Sequence, residues 1–205
     1  MGGFIFDIIE KRPILVLCNL VAAYYHETEE FGIAGNAIKI SSDKRTLKFV
    51  TDDFDSAYGT ILIDENANYI ATWHIKVLFA KWRRYSDLWV GISSKPILNQ
   101  MCVLPGMYNR QHNVFYAVDR YGNNESRECN GVRVKESENG VCQALQTYVI
   151  VKIVLNPSMK QLRVVCRDER TCFNGIKMQY SPFRLAICGG HEGDSLEIIK
   201  FEKKY

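Results

Sequence analysis

Tyr69-Ile70-Ala71-Thr72-Trp73-His74-Ile75-Lys76-Val77-Leu78-Phe79 sets Trp73, Ile75, Val77 and Phe79 at every second position, with His74 and Lys76 between them. Successive side chains of a strand point to opposite faces of a sheet, so this stretch reads as a long strand with an apolar face toward a core. The same texture extends both ways from it. Residues 147–155 form the strongest strand, with Val149, Val151, Ile153 and Leu155 aligned inward; each fully buried branched side chain contributes roughly 1.5 to 3 kcal/mol. Asn156-Pro157-Ser158 turns the chain back into residues 161–167, where Leu162, Val164 and Cys166 alternate with arginines. Further strands are expected at 37–41, 46–51, 60–63, 87–93, 114–118, 183–188 and 195–201, with polar turns between them. No helical period returns after residue 37, and the pattern is that of an all-β, two-layer antiparallel β-sandwich.

The first 36 residues differ. Pro13 suits the first turn of a helix, and residues 14–26 form the best helical candidate, apolar nearly all round and therefore expected to pack against the sandwich. Gly32 and Gly35 punctuate the loop that follows. The expected organisation is an N-terminal extension with one short packed helix over residues 1–36 and a β-sandwich domain over 37–205. At 205 residues, one core fits better than two.

Composition narrows the function. A hydrophobic fraction of 47% and a charged fraction of 24% are those of an ordinary globular protein. The 26 Lys and Arg against 23 Asp and Glu, for a net charge of +3, are too evenly balanced for a protein that holds nucleic acid by neutralising phosphates. The basic run Lys81-Trp82-Arg83-Arg84 reads as a solvated hairpin tip. Seven cysteines, an odd number and without metal-binding or redox-pair spacing, suit a reducing compartment, with Cys166 and Cys188 packing as small hydrophobes. Residues 14–23 are short of the ~20 apolar residues of a membrane span. Their length matches the core of a secretion signal, but Asp7 and Glu10 spoil the basic leader that such a signal needs. A cytoplasmic, monomeric protein is expected.

The order of motifs resembles the SPRY domain family. A Tyr58-Gly59 turn precedes Thr72-Trp73-His74-Ile75-Lys76-Val77, similar to the family's Trp-centred strand, and Leu88-Trp89-Val90-Gly91-Ile92-Ser93 resembles its W-x-V-G-I strand. The run from Phe115 through Asn123, the hairpin of 150–155 with 161–165, and Phe183-Arg184-Leu185-Ala186-Ile187 followed by Gly193-Asp194-Ser195-Leu196-Glu197-Ile198 continue the likeness in the same order. Two departures stand out: Asp168-Glu169-Arg170-Thr171 replaces the usual Asn-Gly type of tip, and residues 120–141 are long and polar. The resemblance implies a bent sandwich of concanavalin-like jelly-roll form, whose loops at one end bind a protein or peptide with no cofactor, no metal and no catalysis.

By position, the family's loop after the Gly-Ile strand corresponds to residues 95–112. There Met107, Tyr108, Asn109 and Arg110 place a large amphipathic aromatic beside a cation, the side-chain types that most often dominate interface energy. Gly189, Gly190 and His191 form a second candidate, since glycines let backbone amides approach a ligand and histidine offers both a donor and an acceptor. Tyr121 and Asn123 form a third, in a polar loop. Asp52, Asp53 and Asp55 have the donor type for a cation but read as an exposed loop.

Two other functions compete. Pro13-Ile14-Leu15-Val16-Leu17-Cys18 with Ala22 loosely resembles the box that docks substrate receptors onto elongin-containing ubiquitin ligases, with Ile14 where leucine is expected. A hydrolase would need a cysteine beside one of His26, His74, His112 or His191. No hydrolase, zinc-protease, P-loop or dinucleotide fingerprint is present.

Overall fold

The computed structural model describes residues 28–80, 88–96, 98, 112–118, 148–167 and 169–205. The expected helix at 14–26 lies outside them. Among the described residues there are twelve strands: β1 (Phe31–Ala34), β2 (Ile38–Ile40), β3 (Thr46–Phe49), β4 (Ser56–Gly59), β5 (Ile70–Leu78), β6 (Leu88–Ser93), β7 (Asn113–Ala117), β8 (Tyr148–Asn156), β9 (Gln161–Cys166), β10 (Glu169–Asn174), β11 (Arg184–Gly189) and β12 (Ser195–Lys204). They form two antiparallel sheets, five strands ordered β1-β4-β11-β6-β7 and seven ordered β10-β9-β8-β5-β12-β3-β2. The two-layer antiparallel sandwich is therefore the observed architecture.

Trp73, Ile75 and Val77 are fully buried, as are Val151, Ile153 and Leu155 on the neighbouring strand. They pack against Val90, Ile92, Leu185 and Ile187 of the five-stranded sheet in one core. The alternation that predicts β5 also sets its register: Trp73 lies opposite Ile153 and Val77 opposite Val149, so the apolar faces of adjacent strands coincide. Slipping by one residue would turn every one of them toward water. Cys166 is buried in this core. Cys188 lies instead in a second apolar cluster with Tyr58, Trp89, Phe115 and Ala186, on the other face of the five-stranded sheet.

Three details differ from the expected strands. Phe31–Ala34, the glycine-punctuated loop of the sequence reading, pairs with β4 at the edge of the five-stranded sheet, so the sheets begin upstream of residue 37. The strand expected at 60–63 sits earlier, at Ser56–Gly59, leaving only an isolated bridge between Ile63 and Phe183. The polar run after residue 168 is a full edge strand, β10, paired along β9 from Cys166 to Gln161.

One buried carboxylate joins the start of the described chain to the strand that decides the fold. Glu29 is 1% exposed. Its Oε2 accepts the indole N–H of Trp73 at 2.6 Å, and its Oε1 accepts the backbone N–H groups of Thr60 at 2.8 Å and Ile61 at 3.0 Å. Burial lifts the Glu29 carboxyl above the usual glutamate range, a rise that these donors partly offset.

Candidate functional site

Gly189, Gly190 and Gly193 have φ of +78°, +104° and +91°, the region open to glycine and strained for other residues. They bend the chain sharply between β11 and β12. A β-carbon on Gly190 would stand 2.5 Å from the Phe49 ring, so the backbone is pressed directly onto the end of β3. Asp194 locks this turn. It is 4% exposed, and its carboxylate accepts the N–H of Ala80 at 2.8 Å and of His191 at 3.1 Å. Backbone bonds from Phe49 to the Asp194 carbonyl and from Gly193 to the Phe49 carbonyl, each 2.9 Å, tie the turn to β3.

The loop between β3 and β4 runs alongside. Asp55, buried, accepts the N–H groups of Ala37 at 3.0 Å and Ser56 at 2.8 Å, while its carbonyl receives Gly189 N–H at 2.9 Å. Asp55 is thus a backbone clamp, turned away from Asp52 and Asp53 in task. Asp52 Oδ1 faces His191 Nδ1 at 3.3 Å and accepts the N–H of Glu192 at 3.0 Å. Its side chain is 60% exposed against 18% for His191. Phe54, in the same loop as Asp52, is 37% exposed. The result is a rigid two-loop surface: an aromatic ring, an imidazole edge and open carboxylates, held by glycine backbone and two buried aspartates. Among the described residues no group of three potential metal ligands occurs.

The sheet register decides which candidates share this end. Gly189 lies opposite Leu88, whereas Arg184, five residues earlier, lies opposite Ser93. Val118 donates to the Leu88 carbonyl at 2.9 Å, and Tyr148 pairs with Leu78. The connection 119–147 therefore starts and finishes at the Gly189 end. Tyr121 and Asn123 belong to that connection, outside the described residues. Met107, Tyr108, Asn109 and Arg110 also lie outside them, in a connection rooted at the opposite end. Its base is fixed by Ser94 N–H to the His112 carbonyl at 2.9 Å and by a Ser94 Oγ–His112 Nδ1 bond of 2.8 Å, with the His112 ring 4.6 Å from that of Tyr180.

Asp52, Phe54 and Asp194 are site residues that the sequence reading did not select. In the sequence Asp52 shows only the donor type of a cation ligand. A Gly-Asp pair before a strand was visible at Gly193-Asp194, but nothing in the linear order reveals which amides it captures. Of the described cysteines, Cys172 is on β10, three strands from His74 on β5, and Cys166 and Cys188 are buried. The box at Pro13–Cys18 lies outside the described residues, and no helix among those described is long and apolar enough to cross a membrane.

No family model and no curated protein matches the chain. Solved structures do. The chain is similar to the NHR1 domain of Drosophila melanogaster Neuralized, at 16% identity and a TM-score of 0.53, over 84% of this chain and 98% of that one. The SPRY domain of human HERC1 matches at 11% identity and a TM-score of 0.51, over 80% and 92% of the two chains. The TRIM65 PSpry domain matches at 11% identity and a TM-score of 0.52, over 89% and 99%. The fold is thus SPRY-like, as the motif order implies.

Proposed function

We propose that this SPRY-like chain is a non-catalytic recognition module that takes a segment of a partner protein, or a peptide, at the end of the sandwich formed by residues 50–55 and 189–194. One observation carries the reading: Phe54 and His191 stand on two loops whose backbones are fixed to each other through Asp52, Asp55 and Asp194. A surface held in this way loses little conformational entropy when it binds. The exposed ring offers an apolar anchor, and the carboxylates of Asp52 and Glu192 offer acceptors around it. A fitting ligand presents an apolar side chain flanked by N–H or cationic donors. No cofactor enters the scheme. Cys166 and Cys188, buried among apolar side chains as small hydrophobes, fit a reducing compartment, the cytoplasm.

The test is partner capture from the native source. His191→Ala and Phe54→Ala should each weaken it; Phe54→Ala should leave the melting temperature near that of the parent, since surface substitutions usually stay within about 0.5 kcal/mol, while the half-buried His191 is checked by a thermal melt. Loss of capture with Tyr108→Ala or Arg110→Ala, and none with His191→Ala, would move the binding surface to the opposite end.

A further inference from the structure

Along one side of the seven-stranded sheet, on β8, β9 and β10, the outward face carries charge of one sign. On β5, β8, β9 and β10 the buried residues alternate with outward ones, and the outward set includes Lys76, Lys152, Arg163 and Arg170. No described outward residue of these four strands is acidic. Glu197 of β12 lies opposite Lys76, so the cations with no acid opposite them on a neighbouring described strand are Lys152, Arg163 and Arg170; like charges on adjacent strands repel and leave a strong local field. Among the described residues none of the four is in an ion pair; the Lys76 ammonium sits instead 5.2 Å over the Tyr148 ring.

Arg163 is held in place. Its Nη2 donates to Gln161 Oε1 at 3.2 Å, and Gln161 Nε2 donates to Asn174 Oδ1 at 2.8 Å, so a relay from β10 fixes the guanidinium on β9. Its Nε is shut off from solvent with no acceptor. The cross-strand register sets Lys152 beside Val165 and Arg170 in one row, and Val154 beside Arg163 and Cys172 in the next. Lys152 and Arg170 thus stand two strands apart, roughly 10 Å at the usual strand spacing. Ile150, Val154 and Val165 line the floor between the cations, with Ile150 38% exposed.

We infer that this face is a second docking surface, for an extended acidic protein segment whose carboxylates meet Lys152, Arg163 and Arg170 and whose aliphatic side chains lie on Val154 and Val165. It is distinct from the loop end, where the open charges are carboxylates. The apolar floor favours a peptide over nucleic acid, because single strands are held by aromatic platforms on which bases stack, and Tyr148 is the aromatic ring available on these strands. The guanidinium fork of Arg163 suits a carboxylate held by two bonds.

Fluorescence anisotropy with a labelled peptide of alternating glutamate and valine tests the proposal on the full chain. Saturable binding at low salt is expected, weakening by about tenfold as added salt screens the charges. The neutral pair Lys152→Gln with Arg163→Gln should cost about tenfold in affinity, and Asn174→Ala, which removes the relay but no charge, a smaller loss of about threefold. Both are surface changes whose folding a thermal melt checks directly. His191→Ala should leave this binding unchanged, so failure here and failure of the loop-end proposal are separable. The inference is overturned if the peptide does not bind, or binds the neutral pair as well as the parent. It is equally overturned if a single-stranded oligonucleotide of equal charge, or vesicles containing phosphatidylserine, bind more tightly and are lost on the same substitutions.

Discussion

Glu29 and Gly190 each show what one position can decide. All the groups around the Glu29 carboxylate are donors, so a carboxamide there must aim its NH2 at another N–H. Glu29→Gln is expected to cost about 1–3 kcal/mol, measured by denaturant unfolding at neutral pH. The pH dependence has a definite sign. Because burial raises this carboxyl in the folded state, its contribution is most favourable at pH below the ordinary glutamate value. It declines as pH climbs from that value through the raised one. In the Gln variant this segment of the stability profile should flatten. Gly190→Ala meets both a φ of +104° and the Phe49 ring at 2.5 Å, and is expected to cost about 1–3 kcal/mol, or about 2–4 °C of melting temperature per kcal/mol in a chain of this size. Neither role is legible in the sequence. Glu29 stands in the polar run His26-Glu27-Thr28-Glu29-Glu30 and reads as a solvated residue, and its partners Thr60 and Trp73 come from distant segments that only the folded sheet brings together.

Among the strands, legibility follows burial. β5, β8 and β9 show strict alternation because one face meets the core along their whole length, and their expected extents agree with the observed ones to within a residue or so. The missed strands are edges. β1 buries Phe31 alone of its four residues, with Gly32 and Ile33 exposed, and β10 sets Thr171 and Phe173, each half-buried, beside Val164 and Leu162. So few apolar positions leave no period to read. The same contrast predicts an order of hydrogen exchange. Amides of β5, β8 and β12, which have neighbours on both sides, should exchange slowest, and those of the edge strands β1, β2 and β10 fastest. Ile153→Ala, which empties a fully buried place in β8, should cost about 2–5 kcal/mol in equilibrium unfolding. The candidate loop end was legible in part: the paired glycines and His191 mark a turn, but Phe54 and Asp52 join it only because β3 and β12 are neighbours in the sheet.

At the scale of the molecule, near-neutral composition conceals polarity. The sequence balance of 26 cations against 23 anions argues against reliance on phosphate contacts, yet folding sorts part of that charge, with Lys152, Arg163 and Arg170 on one sheet face and Asp52, Asp53 and Glu192 at one end. Strand alternation alone carries that segregation, and it was invisible while the residues were counted along a line. The order of strands in space has its own consequence. β12 is the seam of the larger sheet, lying between β5 and β3, although every other strand precedes it in the chain. During synthesis those strands emerge from the ribosome before their central neighbour exists, and the nascent polypeptide must hold an open, sticky gap until the seam arrives. Premature termination just before Ser195 should therefore yield a product dependent on chaperones and prone to precipitate, rather than a trimmed but working domain.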